Sequence, residues 1–177
     1  MKELSLHILD IAKNSVKAKA TKIEITVDEN LAEDKLTITI ADNGTGMSEE
    51  ILKAVRDPFT TTRTTRKVGL GIPLFEAAAV QSGGKLDISS ELGVGTTVLA
   101  SFGYNSIDRA PLGDISDTLM ILVSGSPEIR FIYNHLKNGK KFTFDTDEIK
   151  AQIGDIPITT PEILSWMSEY IEEGIKM

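Results

Sequence analysis

Residues 36–47 read LTITIADNGTGM, an alternating apolar run that leads into a cluster of turn-forming residues. Leu36, Ile38 and Ile40 alternate with polar residues, which predicts a strand that is buried on one face. The Asp/Asn/Gly cluster that begins at Asp42 is typical of a tight turn. A second interpretation is that its carboxylate accepts a hydrogen bond from a ligand, while the glycines let a flat ligand approach the backbone. These residues alone leave both interpretations open.

The sequence on either side of this stretch predicts further helices and strands. Residues 3–20 carry apolar side chains at helical spacing, and the alternating run at 23–27 predicts an antiparallel hairpin with the strand above. Ser48 predicts the N-cap of a short helix, and a longer helix is expected to begin near Gly71. Another hairpin is expected around residues 91–95.

The sequence pattern changes near residue 105, which predicts a boundary in the chain. We expect a first domain at residues 1–104, a linker at 105–117 and a small C-terminal α/β unit at 118–177. This unit is expected to end in an amphipathic helix from about Pro161, and we interpret it as a docking or oligomerisation unit. Its predicted strands lie near residues 118–124, 129–135 and 141–145.

The composition excludes several classes of protein. The 177 residues are 41% hydrophobic, which is enough to bury a core, and the absence of cysteine excludes disulfide scaffolds and thiolate metal sites. The net charge of −7 disfavours binding to nucleic acid or an anionic membrane. No apolar run approaches the roughly 20 residues of a membrane span, and the N-terminus lacks a signal-peptide pattern. We therefore expect a cytoplasmic protein with neither a nucleic-acid nor a membrane partner.

The first predicted helix carries a mixed polar face. Asp10 and Asn14 lie one turn apart, so their side-chain oxygens can point into the same space. This arrangement suits a hydrated Mg²⁺, which prefers oxygen ligands and keeps several waters. A solvated helix surface is the alternative, and the spacing alone does not decide between the two.

Two glycine-containing segments follow later in the chain. Residues 68–72 read VGLGI and lead into a helix, whose free N-terminal amides attract phosphate. Arg63, Arg66 and Lys67 precede the helix, and these cations favour phosphate in an otherwise acidic chain. The segment matches neither a P-loop nor a dinucleotide-binding fingerprint. The second segment, residues 93–97, is also typical of a plain hairpin turn.

Taken in order, these motifs resemble the ATP-binding domain shared by gyrase, heat-shock chaperones, histidine kinases and MutL, with the loop most similar to the histidine-kinase branch. The resemblance covers roughly residues 3–103. It implies an α+β fold, a two-layer sandwich in which helices cover one face of a mixed, mostly antiparallel sheet. The segments that resemble the N, G1, F, G2 and G3 boxes of this family are residues 10–18, 42–47, 57–61, 68–72 and 93–97.

The resemblance also implies a site for ATP and Mg²⁺. Asn14 would hold Mg²⁺ between the phosphates, with Lys17 nearby on the same helix face. Asp42 would accept a hydrogen bond from the adenine amino group, helped by Thr96 through a water molecule. Gly46 would lie under the base.

The same family pattern implies a lid over the phosphates. Gly69 and Gly71 would shape this lid, and Lys67 or Arg66 would reach the terminal phosphate. The remaining positions that the resemblance places at the nucleotide are Gly44, Met47, Phe59, Thr60 and Leu70.

Two departures from the family bear on catalysis. ATP-hydrolysing branches carry a glutamate base where this chain has Asp10, which is one methylene, about 1.5 Å, shorter. Because a misplacement of that size can cost on the order of 100-fold in rate, Asp10 is a candidate general base or only an electrostatic partner. Histidine kinases carry a phosphoacceptor histidine before this domain, whereas His7 and His135 are interpreted as structural. We therefore expect no self-phosphorylation on histidine.

Three functional hypotheses follow from the resemblance. The first is an Mg-ATP-binding protein of signal transduction that regulates or phosphorylates a protein partner. The second is a slow ATPase that works as a nucleotide-driven conformational switch. The third is a non-catalytic interaction protein that senses nucleotide. A protein partner is expected in each case, and a homodimer is also open.

Overall fold

The computed structural model describes residues 2–56 and 70–177. Within these ranges the chain forms six helices and six strands. The helices are α1 (Leu4–Lys17), α2 (Glu49–Val55), α3 (Gly71–Gln81), α4 (Ile115–Gly125), α5 (Thr146–Ile153) and α6 (Pro161–Ile175). The strands are β1 (Lys22–Asn30), β2 (Lys35–Asp42), β3 (Lys85–Glu91), β4 (Gly95–Gly103), β5 (Arg130–Lys137) and β6 (Lys140–Asp145).

The six strands form one mixed sheet in the order β3-β4-β2-β1-β5-β6. Strands β1 and β5 are parallel, and every other neighbouring pair is antiparallel. The predicted hairpin of β1 and β2 is present, with Ile25 opposite Ile40. The expectation of an α+β fold with a mixed, mostly antiparallel sheet is therefore confirmed.

The core lies between one face of the sheet and the helices. Alternate residues of β1 and β2 are buried, as the period of two requires for a sheet with one covered face. Full burial of each such side chain stabilises the fold by about 1.5–3 kcal/mol. The buried residues of α1, β1 and β2 that share one hydrophobic cluster include Leu4, Ile8, Ile11, Ile23, Ile25, Val27, Leu36, Ile38 and Ile40.

The C-terminal segment extends the same sheet and the same core. Strand β5 lies against the free edge of β1, where Tyr133 is the partner of Ile25. Phe131 and Tyr133 of β5, with Met167 and Ile171 of α6, belong to the hydrophobic cluster of the first hundred residues. A parallel pair needs a crossover connection, and the segment that leads into β5 contains α4, which packs on α1.

The prediction of a strand near residues 118–124 is wrong, because Ile115–Gly125 form α4. Asp114 caps this helix by accepting a hydrogen bond from the backbone N–H of Asp117, so the helix begins inside the predicted linker. The apolar run reads as a strand in isolation, but its buried positions recur at helical spacing. Those buried apolar positions are Ile115, Leu119, Leu122 and Val123.

The segment between β4 and α4 binds the start of α1. The backbone N–H groups of Leu4 and Ser5 donate to the carbonyls of Pro111 and Leu112, each at a distance of 2.9 Å. Thr118 of α4 adds a hydrogen bond from its hydroxyl to the carbonyl of Ser5. These contacts satisfy N-terminal amides that a helix leaves without intrahelical partners, and they attach the C-terminal part of the chain to α1.

His135 lies in a buried hydrogen-bonded network. Its Nε2 is 2.6 Å from a carboxylate oxygen of Glu29, and its Nδ1 is 2.6 Å from the hydroxyl of Tyr133. Tyr104 donates to the other oxygen of Glu29. The hydrogen bond with His135 lowers the pKa of Glu29, while burial raises the pKa of Tyr133. The network joins β1, β5 and the residue after β4, which is consistent with a structural histidine.

His7 is also packed into the fold. Its ring stacks on Phe75 of α3, with 5.4 Å between the ring centroids. Burial lowers the pKa of His7, and its Nδ1 has no hydrogen-bond partner in the described part of the chain.

No helix within residues 2–56 and 70–177 is long and apolar enough to cross a lipid bilayer.

We predict that Phe131→Ala lowers the free energy of unfolding of the whole chain by about 3–5 kcal/mol, because it leaves a cavity in the shared core. Ile107→Ala is the matched control, since Ile107 is 92% exposed and its loss should matter little. Chemical denaturation followed by circular dichroism measures both variants. Two separate transitions, with the first hundred residues unaffected by Phe131→Ala, would contradict a shared core.

Candidate functional site

A cavity of about 310 Å³ lies where α1, the end of β2 and β4 meet. Its walls are mostly apolar, with Ile40 and Val98 from the sheet and Ile11 and Ile72 from the helices. The predicted site residues that line it are Asn14, Lys17, Asp42, Gly46, Met47 and Thr96. Residues from three separate predicted motifs therefore meet in one cavity.

Asp42 is held at the edge of this cavity by two hydrogen bonds. The hydroxyl of Ser15 donates to Oδ2 at a distance of 2.6 Å, and the backbone N–H of Gly44 donates to Oδ1 at 2.8 Å. An ionised carboxylate has about four lone-pair positions, so two such bonds leave it able to accept from a ligand. The arrangement fixes the direction of an acceptor in otherwise apolar surroundings.

Ser15 and Ser90 also belong to the site, although neither was predicted from the sequence. Ser15 is buried on α1, and the only sequence signal for it is a hydroxyl within an apolar stripe. Ser90 accepts a hydrogen bond from the backbone N–H of Met47, and its Oγ lies 2.8 Å from Oγ1 of Thr96. It thus joins the turn after β2 to β4, and no local motif signals that role.

The glycine turn after β2 forms hydrogen bonds with two other segments, the end of α1 and the turn between β3 and β4. The backbone N–H of Thr45 donates to the carbonyl of Ala18, and its carbonyl accepts from the N–H of Gly93. Gly46 has a φ of +71°, and a Cβ there would lie 2.0 Å from the carbonyl oxygen of Glu91. The turn is therefore a tight structural turn that also forms part of the cavity wall.

The polar face of α1 is only partly inside the cavity. Asn14 lines it, whereas Asp10 lies outside the lining. The Asp10 carboxylate forms an ion pair with Nζ of Lys2 at a distance of 2.5 Å. Gly71, at the start of α3, faces both residues, because a Cβ on it would be 3.5 Å from Cβ of Asp10 and 3.8 Å from Nδ2 of Asn14. Leu70 is the N-cap position of α3 and is partly exposed outside the cavity lining.

Five predicted site residues fall between residues 57 and 69, which lie outside the described residues. They are Phe59, Thr60, Arg66, Lys67 and Gly69. Among the residues that are described, no group of three or more His, Asp or Glu could hold a metal ion.

Comparison with protein families matches residues 2–105 to the family described as "Histidine kinase-, DNA gyrase B-, and HSP90-like ATPase". The match covers more than half of the chain and includes all the segments that line the cavity.

Individual relatives show the same similarity. The chain is 38% identical over 104 residues to Sensor protein SrrB of Staphylococcus aureus, in strains NCTC 8325 / PS 47 and COL among others. That alignment covers 56% of this chain and 17% of the length of SrrB.

Among solved structures, the chain is similar to the MutL ATPase domain of Aquifex aeolicus complexed with ADP. The TM-score is 0.52 at 16% identity, and the match covers 86% of this chain and 68% of the other. At this identity the likeness shows a shared fold.

We predict that Gly46→Ala destabilises the protein by about 2–5 kcal/mol, since it adds a clash with a backbone carbonyl to the cost of a left-handed conformation. Gly93→Ala is the control, because Gly93 has a φ of +80° but open space around it. The control should cost only about 1–2 kcal/mol. Equal unfolding free energies in urea titrations would show that the close approach to Glu91 is unimportant.

Proposed function

Because the chain belongs to the family of histidine kinase-, DNA gyrase B- and HSP90-like ATPases, we propose that its cavity binds the adenine of Mg-ATP. The resemblance read from the sequence is thereby confirmed at the level of the family. The role of each residue, the binding of Mg²⁺ and the fate of the γ-phosphate are proposed here from the geometry of the cavity.

The observation that carries the proposal is the Asp42 carboxylate, held by Ser15 and Gly44 beside an apolar cavity. Adenine has two apolar ring faces and an exocyclic amino group that donates hydrogen bonds. Asp42 would accept from that amino group, and Thr96 would support it through a bridging water. Gly46, which lines the cavity, would lie under the ring.

The phosphates would extend from this cavity along the polar face of α1. Asn14 and Lys17 line that side, and the N-terminus of α3 at Gly71 lies next to Asn14. The N-terminal amides of a helix, a cation and an amide oxygen suit a triphosphate with its metal. Mg²⁺ would be held by Asn14 and the phosphates, and it would neutralise phosphate charge when bound. Arg66, Lys67 and Gly69 would contribute from the neighbouring segment.

We propose that the nucleotide-bound protein regulates or phosphorylates a protein partner in a cytoplasmic signalling process. The similarity to a sensor protein over the matched domain supports a signalling role. Asp10 is engaged with Lys2 outside the cavity lining, which favours an electrostatic role for it. Since the chain spans a small part of SrrB, the activity of that whole protein is not implied.

A slow ATPase is the second candidate. It is favoured by the position of Asp10, a carboxylate one turn from Asn14 and close to Gly71. Such a group could serve as a general base toward a water molecule near the phosphates.

We predict that Asp42→Asn weakens the binding of Mg-ATP and of ADP at least about tenfold, because it removes a charged acceptor and places an amide donor opposite the adenine amino group. Isothermal titration calorimetry measures the affinities. Asp87→Asn, an exposed carboxylate on β3, is the control and should bind as the parent protein does. Unchanged affinity in Asp42→Asn would place the adenine elsewhere.

We predict that Asp10→Ala binds Mg-ATP within about threefold of the parent protein, since Asp10 lies outside the cavity lining. Phosphate release from Mg-ATP should be equally slow in both proteins when no partner is present. A release rate in the parent protein that exceeds that of Asp10→Ala would establish the ATPase candidate instead. A colorimetric phosphate assay with metal-free samples as background makes this comparison.

A further inference from the structure

The outer face of α6 presents an aromatic surface. Trp166 and Tyr170 stack with their ring centroids 5.3 Å apart and their planes 9° from parallel. Phe142 of β6 packs against Tyr170 in a tilted arrangement, also at 5.3 Å. Trp166 is nevertheless 45% exposed, although it is the only tryptophan in the chain. Tyr170 therefore stacks on one face of an indole that remains partly exposed to solvent.

A shallow surface cavity, open to solvent and lined by residues of α6 alone, lies beside this tryptophan. Its lining includes the carboxylates of Glu162 and Glu169. Glu162 lies one turn before Trp166, and Glu169 lies three residues after it. Residues at this spacing share a face of the helix. Pro161 and Ser165 complete the lining.

The two carboxylates of this cavity differ from the others on α6. Glu172 accepts a hydrogen bond from Ser116, and Glu173 pairs with Lys176. Over residues 2–56 and 70–177, Glu162 and Glu169 form no ion pair within 4.0 Å. The cavity therefore combines a stacked aromatic ring with two carboxylates that form no ion pair within the described residues.

We propose that this cavity binds an arginine side chain presented by a partner protein. A guanidinium group is planar, stacks on an indole face and carries five N–H donors that can reach two carboxylates at once. An ammonium group matches less well, because it is a compact, strongly hydrated charge. The net charge of −7 also favours encounter with a basic segment.

The arginine site is separate from the nucleotide cavity and shares no lining residue with it. It is mechanically connected to that cavity, since α6 packs on α4 and α4 packs on α1. Because the proposal does not depend on nucleotide binding, its test is made without nucleotide. Failure of one proposal therefore leaves the other standing.

The fluorescence of Trp166 provides a direct test with the full chain. The probe is an acetylated, amidated Gly/Ser peptide that contains two arginines, and the control probe replaces both arginines with the uncharged isostere citrulline. We expect a saturable change in emission with the arginine peptide and none with the citrulline peptide. A lysine version of the peptide should bind at least about threefold more weakly.

Two double variants with the same net charge complete the experiment. Glu162→Gln with Glu169→Gln should weaken binding of the arginine peptide at least about fivefold, since it removes both charged acceptors. Glu33→Gln with Glu128→Gln, outside the cavity lining, should bind as the parent protein does. Equal affinity in both variants, equal response to citrulline, or no response to either peptide would overturn the proposal. If Trp166 emission changes with protein concentration in the absence of peptide, the chain self-associates through this surface. That result would assign the surface to a second copy of the chain instead.

Discussion

Helix α1 is the element on which the rest of the structure depends. Its apolar side packs on β1 and β2, its N-terminal amides bind the backbone of residues 111 and 112, and Ser15 near its end holds Asp42. The burial of this one helix therefore fixes the core, the attachment of the C-terminal part and the direction of the carboxylate at the cavity. A change in its position would alter all three together, because they share one rigid segment.

The site consists of a turn that the local sequence predicts and of hydrogen bonds between residues far apart in the chain. The glycine turn after β2 could be predicted to line a ligand cavity, since Asp42 and its glycines follow a buried strand. The precise acceptor geometry arises only where α1 approaches that strand, through a hydroxyl from a residue 27 positions earlier. Ser90 acts similarly by joining Met47 to Thr96 across the β3–β4 pair. Neither serine has a local signature, because side-chain hydrogen bonds between distant segments leave none.

The C-terminal part shows where sequence periodicity was insufficient. Residues 118–124 are apolar and rich in residues that suit a strand, yet Asp114 caps a helix there and its buried positions face α1 and α6. The strands β5 and β6 lie close to their predicted positions, but the sequence did not predict that β5 pairs with β1. Alternation of apolar and polar residues predicts a strand but not the strand that pairs with it. A parallel pairing with a distant strand also depends on a crossover connection.

The sequence by itself determined the family, the mixed α+β class, the glycine turn and the order of the motifs that meet in the cavity. These features depend on local periodicity, turn chemistry and spacing, all of which can be read along the chain. Tertiary structure alone decided that the C-terminal strands continue the first sheet, that Ser15 and Ser90 belong to the site, and that Trp166 lies exposed between two carboxylates. Each of these depends on which distant surfaces come into contact, and packing over the whole chain settles that choice.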